Sequence, residues 1–471
     1  MSDFLPIQGY LKEHPQKYRA LYYCFRDAIA AGRFGVADPI PSSREAAAVL
    51  GLSRGTVNLA YEMLAADGYI HATQGKNPTV CWAGTQEIRS IERPDFALSD
   101  WGNRLSEMPI PTPPTSGVHF HPGAVDPSLF PQQEWKRFLL RAVREFHPAS
   151  HEPATGSAAL KSAVAQHLNR RRGLNVKGDQ VAIVSGSLHA IALLCHILLK
   201  KGQTAIMEDP GYRGTLRAIT QTGAKCLFGA VDDEGLCPAD WNSRLLFVTP
   251  SRQFPTGVVL SYNRRAQIVS WARRRNAVIV EDDYDGEFRR SGKPLEPMQQ
   301  MAPERVVHIG TFSRTISPYL RIGYAVLPEP LIDPFRLACA HFQQYETAWM
   351  ERTALTEFLR SGAYERHLRR SLRAYRLRHQ ALLHGLRTHL GEALDIVESD
   401  TGLHLFAFWK SDKSLETFIR RCSEADVHLA SAGRFFFSST MPSLIFSFAH
   451  LMPDTISAAL KKAGKLFAQM D

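Results

Sequence analysis

Five apolar runs of strand length, each breaking off into a polar or glycine-rich loop, set the strongest limit on how this chain can fold. They are VAIVSGS (181–187), TAIMEDPGYRG (204–214), LLFVTPSRQFPTG (245–257), AVIVEDDYDGEF (277–288) and VVHIGTFSR (306–314), with longer helical stretches between them. Strands alternating with helices give an α/β domain with a mostly parallel sheet. In such a sheet ligands bind beyond the carboxyl ends of the strands, so the loops are expected to build one site. Each loop alone is an ordinary turn; recurrence after successive strands carries the argument.

The loops share a chemistry. Gly186 and Ser187 precede a helical stretch, where backbone N–H groups and a hydroxyl can receive an anion. Thr311, Ser313 and Arg321 add donors, so the anion is read as a phosphate. Asp282 and Tyr284 close a central strand, where an acid can keep a pyridine nitrogen protonated and a phenol can donate to a ring oxygen. Tyr212 can stack on a flat ring. A phosphate, a ring nitrogen and a ring oxygen together describe pyridoxal 5′-phosphate. Arg314, set among these hydroxyls, reads on its own as one more phosphate ligand.

The N-terminal region follows another pattern. PIPSSREAAAVLGLSRGTVNLAYEMLAADGYI (39–70) reads as two short helices joined by a tight turn. Ser42 with Glu45 forms a capping box, and Ala46, Ala47, Val49 and Leu50 supply an apolar face. Gly51 permits the turn and Ser53 caps the second helix, which would bury Val57, Ala60, Tyr61 and Leu64. An ordinary helical hairpin shares this periodicity. In a helix-turn-helix, however, Ser53, Arg54, Thr56 and Asn58 would face base edges and phosphates in a major groove. HATQGKNPTV (71–80) then reads as a hairpin wing with Gly75 and Lys76 at its tip. The local charge is no help, since residues 1–80 carry eight Lys/Arg against seven Asp/Glu.

The expected organisation is a helix-turn-helix unit over 1–82, a proline-rich linker with a short helix-like piece over 83–117, and the α/β domain over 118–471. The formal net charge of +10 makes a polyanionic partner plausible. Seven scattered cysteines without a CxxC pair argue against a disulfide frame or a zinc site, and no metal is expected. The longest apolar run, IALLCHILL (191–199), is too short to span a bilayer. A cytoplasmic protein without a membrane partner is therefore expected.

Resemblance sharpens both halves. PSSREAAAVLGLSRGTVNLAYEMLAADGYI resembles the winged helix-turn-helix of GntR-type bacterial repressors, which implies DNA contacts by Arg44, Arg54 and Thr56, assisted by Ser53 and the wing. EDPGYRG, TPSRQFPTG, EDDYDGEFRR, GTFSRTISPYLRIGY and GAYERHLRRSLRAYRLR resemble consecutive signatures of the MocR/GabR regulators. In that family a GntR-type winged helix is fused to a fold-type-I, pyridoxal-phosphate-dependent aminotransferase-like domain, usually as a head-to-tail homodimer. The likeness implies operator DNA and a small amine or pyridoxal-phosphate-related effector as partners.

One position departs decisively. The family's GTFSK supplies the Schiff-base lysine, and here that position is Arg314. A guanidinium keeps its proton at physiological pH and cannot attack an aldehyde. No covalent lysine attachment, no catalytic residue and no efficient turnover are expected. Arg252, Leu188 and His189 also replace usual family residues, His151 stands where a tyrosine often reaches the partner's phosphate, and SLIFSFAHL (443–451) lacks the substrate-binding arginine of aminotransferases. Arg314 leaves three readings: non-covalent cofactor or adduct binding, an anion clamp for another ligand, or a tolerated change in a dimerisation domain. Retention of Asp282 favours the first, because a buried carboxylate without a cation is costly. The expected function is ligand-sensing transcription regulation; the alternative is an active aminotransferase with an appended DNA-binding module. The segment 360–378, with seven arginines and one glutamate, is read as a helix whose charges are solvated or paired.

Overall fold

The apolar runs pair edge to edge and are buried on both faces. A computed structural model describes residues 6–73, 76–82, 96–105, 116–146, 152–290, 292 and 296–470. Gly75, His151 and most of the segment 83–117 lie outside the described residues. The chain divides into two compact units, Met1–Met108 and Pro109–Asp471.

In the first unit, helices Ile7–Glu13, Lys17–Ala30, Ser43–Leu50 and Arg54–Ala66 precede a two-stranded antiparallel wing, Ile70–His71 against Thr79–Val80. Its core joins Leu21, Phe25 and Ile29 to Ala46, Val57, Ala60 and Leu64. Both expected caps are present. The Ser42 N–H donates to Glu45 Oε2 at 2.9 Å while the Glu45 N–H donates back to Ser42 Oγ at 3.3 Å, and the Thr56 N–H donates to Ser53 Oγ at 3.2 Å. Gly51 ends the third helix at φ 65°, a conformation that costs glycine nothing. Val49, expected on the apolar face, is instead 47% exposed. Ala46, Ala47 and Leu50 set the centre of the inward face, and at 3.6 residues per turn position 49 falls about 100° away from it. Beyond this helical block, a short helix, Asp100–Leu105, lies in the proline-rich stretch.

The second unit is built on an eight-stranded sheet. From one edge the order is Val181–Val184, Gly323–Val326, Val306–Thr311, Val278–Asp283, Leu245–Val248, Thr204–Asp209, Lys225–Asp232 and Gly235–Leu236. Only Gly323–Val326 and the short edge strand Gly235–Leu236 run against the rest. Alternate residues of one strand serve opposite faces. Val280 packs with Ile191, Leu194 and Phe247, and Ile279 packs with Leu246, Ile268 and Trp271. Burial on both faces is why these strands read as unbroken apolar runs rather than alternating ones. A four-stranded antiparallel sheet follows, ordered Leu394–Val397, His404–Trp409, Ser443–Ser447 and Ala430–Ser431.

The arginine-rich helix begins at Ala363 rather than at Arg360, and carries six of the seven arginines of 360–378. Trp349–Arg360 ends before Ser361, Gly362 turns the chain at φ 69°, and Ala363–Leu390 begins anew. Several of its arginines are tied inward: Arg378 pairs with Asp126, while Arg370 and Arg376 donate to the carbonyls of Leu129 and Arg290, each at 2.9 Å. Among the described residues, no helix is long and apolar enough to cross a membrane, and no group of side chains could hold a metal ion.

Candidate functional site

Parallel pairing brings the strand ends level. Ile309 lies opposite Asp282, and Val248 lies opposite Glu281, so the loops that follow converge. They enclose a cavity of about 350 Å³ lined by Ser187, Tyr212, Asp282, Tyr284, Thr311, Ser313, Arg314 and Arg321, together with Pro122, Gly123, Thr249, Phe254, Pro318, Arg434 and Phe435. Eight of the nine residues singled out from the sequence therefore line one space. The ninth, Gly186, starts the helix Ser187–Leu198 at φ 95°, and a Cβ there would stand 2.9 Å from Arg321 Nη2. Glycine thus lets Arg321 lie against the helix start, where its Nη2 donates to the Ser185 carbonyl at 3.4 Å.

Four side-chain polar atoms at this cavity are buried and bond to nothing among the described residues: Asp282 Oδ1, Tyr284 Oη, Ser313 Oγ and Arg434 Nε. Burial, reinforced by the charge of Asp283, pushes the Asp282 carboxyl up to about 7. Burial likewise holds the Tyr284 phenol well above its ordinary range, so it stays a hydrogen-bond donor. A protonated ring nitrogen for Asp282, a ring oxygen for Tyr284 and a phosphate oxygen for Ser313 would satisfy the first three. The residues present fit pyridoxal 5′-phosphate. Arg314, in contrast, makes no hydrogen bond or ion pair among the described residues, although its charge acts on Asp282, Tyr284 and Asp285.

Behind the cavity the charges are matched. Arg172 meets Asp283 at 2.5 Å, and His167 meets Glu287 at 2.8 Å. Arg252, read from the sequence as a departure from the family pattern, is 2% exposed and serves as a clamp. It donates to Ser399 Oγ and the Thr401 carbonyl at 2.7 Å and faces Asp285 at 3.5 Å. His189 accepts the Ser185 N–H at 3.3 Å, which fixes the loop before the helix.

In the first unit, Arg44, Ser53, Arg54, Asn58 and Lys76 are exposed and Thr56 is partly so. Ser53 and Thr56 share a hydroxyl contact of 2.8 Å, and Arg54 Nε donates to Ser43 Oγ at 3.4 Å. The first turn of Arg54–Ala66 is thus a polar surface carried on a buried apolar face.

Comparison with known proteins agrees with both halves. Residues 17–80 match the bacterial regulatory proteins of the gntR family, and residues 133–462 match aminotransferase class I and II. The probable rhizopine catabolism regulatory protein MocR of Rhizobium meliloti is 32% identical, over 96% of this chain and 94% of its own. The chain belongs to the MocR-type GntR regulators. The HTH-type transcriptional regulator TauR of Rhodobacter capsulatus is 36% identical over 76% of each chain. The HTH-type pyridoxine biosynthesis transcriptional regulator PdxR of Corynebacterium glutamicum is 31% identical over 75% of each. Among solved structures, the α-aminoadipate aminotransferase LysN of Thermus thermophilus, complexed with N-(5′-phosphopyridoxyl)-L-leucine, superposes with a TM-score of 0.69 at 26% identity, over 75% of this chain and 92% of that one.

For this MocR-type regulator the sequence missed several cavity residues. Phe254 stands edge-on to both Tyr212 and Tyr284, with ring centroids 6.0 and 5.9 Å away, and fixes their planes. Thr249 anchors the buried Glu208, whose carboxyl burial pushes up to about 7, through a 2.5 Å hydroxyl contact. Both lie inside the run LLFVTPSRQFPTG, so their loop was found and their roles were not. Arg434 comes from RFFF, ahead of the strand Ser443–Ser447, and lies over the Phe435 ring at 4.8 Å. No local motif marked it. The cavity therefore holds an arginine from the C-terminal region, although SLIFSFAHL has none.

Proposed function

We propose that this regulator binds operator DNA through Arg44, Ser53, Arg54, Thr56, Asn58 and the wing, and that its aminotransferase-like domain senses a pyridoxal-phosphate-related ligand without covalent attachment or turnover. The functional division is 1–82 for DNA, 83–117 as linker and 118–471 for ligand and for a head-to-tail homodimer. The observation that carries the reading is the set of unpartnered atoms, Asp282 Oδ1, Tyr284 Oη and Ser313 Oγ, around a cavity with Arg314 at the lysine position. When bound, pyridoxal phosphate supplies an electron-poor ring and an aldehyde. Asp282 would hold the ring nitrogen protonated, Tyr284 would donate to the ring oxygen, and Tyr212 would cover the ring. Ser187, Thr311, Ser313 and Arg321, at a helix start, would hold the phosphate. A guanidinium offers no free amine lone pair to attack an aldehyde, so Arg314 takes no part in bond making. Relatives named as transcriptional regulators support the regulatory role, and the phosphopyridoxyl ligand of LysN supports the ligand class. Ligand would act on DNA only if it bound one arrangement of the protein better than another.

The test is spectroscopic. Pyridoxal phosphate added to the wild type should give a bound chromophore that dialysis removes and borohydride does not fix, whereas Arg314→Lys should give a lysine-linked, borohydride-fixed one. A fixed chromophore in the wild type, or no binding to either protein, contradicts the reading. For the DNA half, Arg54→Ala should weaken the gel shift of the protein's own promoter region, with a steep dependence on salt. An unchanged shift would remove that helix from the interface.

A further inference from the structure

The arginines that line the cavity differ from the buried arginines elsewhere in the same unit, which are held by protein acceptors. Arg172, Arg252, Arg352 and Arg378 each face a carboxylate, those of Asp283, Asp285, Glu346 and Asp126, while Arg265 and Arg290 each donate to three backbone carbonyls. Arg314, Arg321 and Arg434 line the cavity and form no ion pair among the described residues, and Asp282 is the only acid lining it. Three permanent cations facing one carboxyl call for a ligand with more than one negative group. The two loop arginines also serve different ends. Arg321 lies over Ser185 and Gly186 at the helix start, where a phosphate fits. Arg314 acts on Asp282, Tyr284 and Asp285, at the end where the ring sits. The phosphate therefore leaves Arg314 without an anion.

We propose that Arg314 determines specificity in this cavity: it selects a phosphorylated pyridine that also carries a carboxylate beside the ring, and it rejects the corresponding amine. This rests on the reading of the cavity as a pyridoxal-type site. A guanidinium presents a planar fork of N–H donors that matches a carboxylate through two parallel bonds. An aldehyde offers it one acceptor and no charge. An ammonium meets a like charge in a confined space and loses affinity. The carboxylate can come from oxidation of the ring aldehyde to an acid, or from an amino acid joined to the ring by a reduced bond. In both, the shared feature is a second anion near the ring.

Calorimetric titration of the full chain tests this, with pyridoxal 5′-phosphate, pyridoxamine 5′-phosphate, 4-pyridoxate 5′-phosphate and N-(5′-phosphopyridoxyl)glycine as probes and inorganic phosphate as control. At least one carboxylate should bind about tenfold or more tighter than the amine, the scale of one charge-assisted pair. The tighter of the two carboxylates names the source. Arg314→Gln should collapse the gap, and Asp282→Asn should weaken all four pyridines together. If Arg314→Gln does not fold, the wild-type ranking decides alone. Amine binding as tight as that of both carboxylates overturns the inference while leaving the pyridoxal-type reading in place. No binding of any pyridine overturns that reading first, and this inference with it.

Discussion

Asp283 meets Arg172 at 2.5 Å beside the helix Ala158–Arg172, whereas its neighbour on the same strand, Asp282, lines the cavity and its Oδ1 bonds to nothing among the described residues. The two belong to opposite faces of one strand end, because successive side chains alternate. Behind the strand, Asp285 and Glu287 have Arg252 and His167 against them. In front, the carboxyl of Asp282, the phenol of Tyr284 and the hydroxyl of Ser313 have nothing. Each acid behind the strand thus has a cationic side chain against it, whereas Asp282 has no ion-pair partner among the described residues. Burial pushes the Asp282 carboxyl up to about 7, with no cation in contact to offset it.

The comparison breaks most sharply at the back. Arg172→Ala strands Asp283 in a buried site and should cost about 3–5 kcal/mol in denaturant unfolding of the C-terminal unit, with or without ligand. A loss no larger than that of an exposed arginine would mean the two faces do not differ. Asp282→Asn should act in the opposite sense, stabilising the ligand-free protein by about 1–3 kcal/mol at pH 8 because an unpartnered buried charge is removed. The pH dependence follows from the raised value. With a folded value of about 7 against the ordinary 3.8, the folded protein holds a proton that the unfolded chain has released. Its contribution to stability is full below the ordinary value and is lost as pH rises through about 7. The gain from Asp282→Asn should therefore shrink towards pH 4, and thermal melts at several pH values check it. The smallest effect lies in the other unit. Ser42→Ala removes the capping box and should cost that unit about 1 kcal/mol. Proteolysis should then find the winged helix opening more often, with ligand binding at the cavity unchanged.

Much of this was legible in the sequence, for reasons the two faces make clear. Loops after parallel strands must converge, so locating the strands located Ser187, Tyr212, Asp282, Thr311 and Arg314 together. Caps are local devices, so Ser42, Glu45, Ser53 and Gly51 could be read directly. What escaped depends on contacts far along the chain. Arg434 reaches the cavity only because the four-stranded sheet folds back on the strand ends, and no spacing reports that. Arg252 looked like drift from a family pattern until its partners, Ser399, Thr401 and Asp285, came from another part of the chain. The break at Gly362 was passed over because only Arg360 of the seven arginines lies before it.

The central claim is that the front of the strand end is left open for a protonated pyridine bearing a phosphate. The most direct measurement is the thermal melt of the wild type and Asp282→Asn at pH 8, each with and without pyridoxal phosphate. The account predicts that ligand raises the wild-type midpoint and scarcely moves that of Asp282→Asn, even though the latter starts higher. A wild type that ligand leaves unmoved, or two proteins stabilised equally, would contradict it.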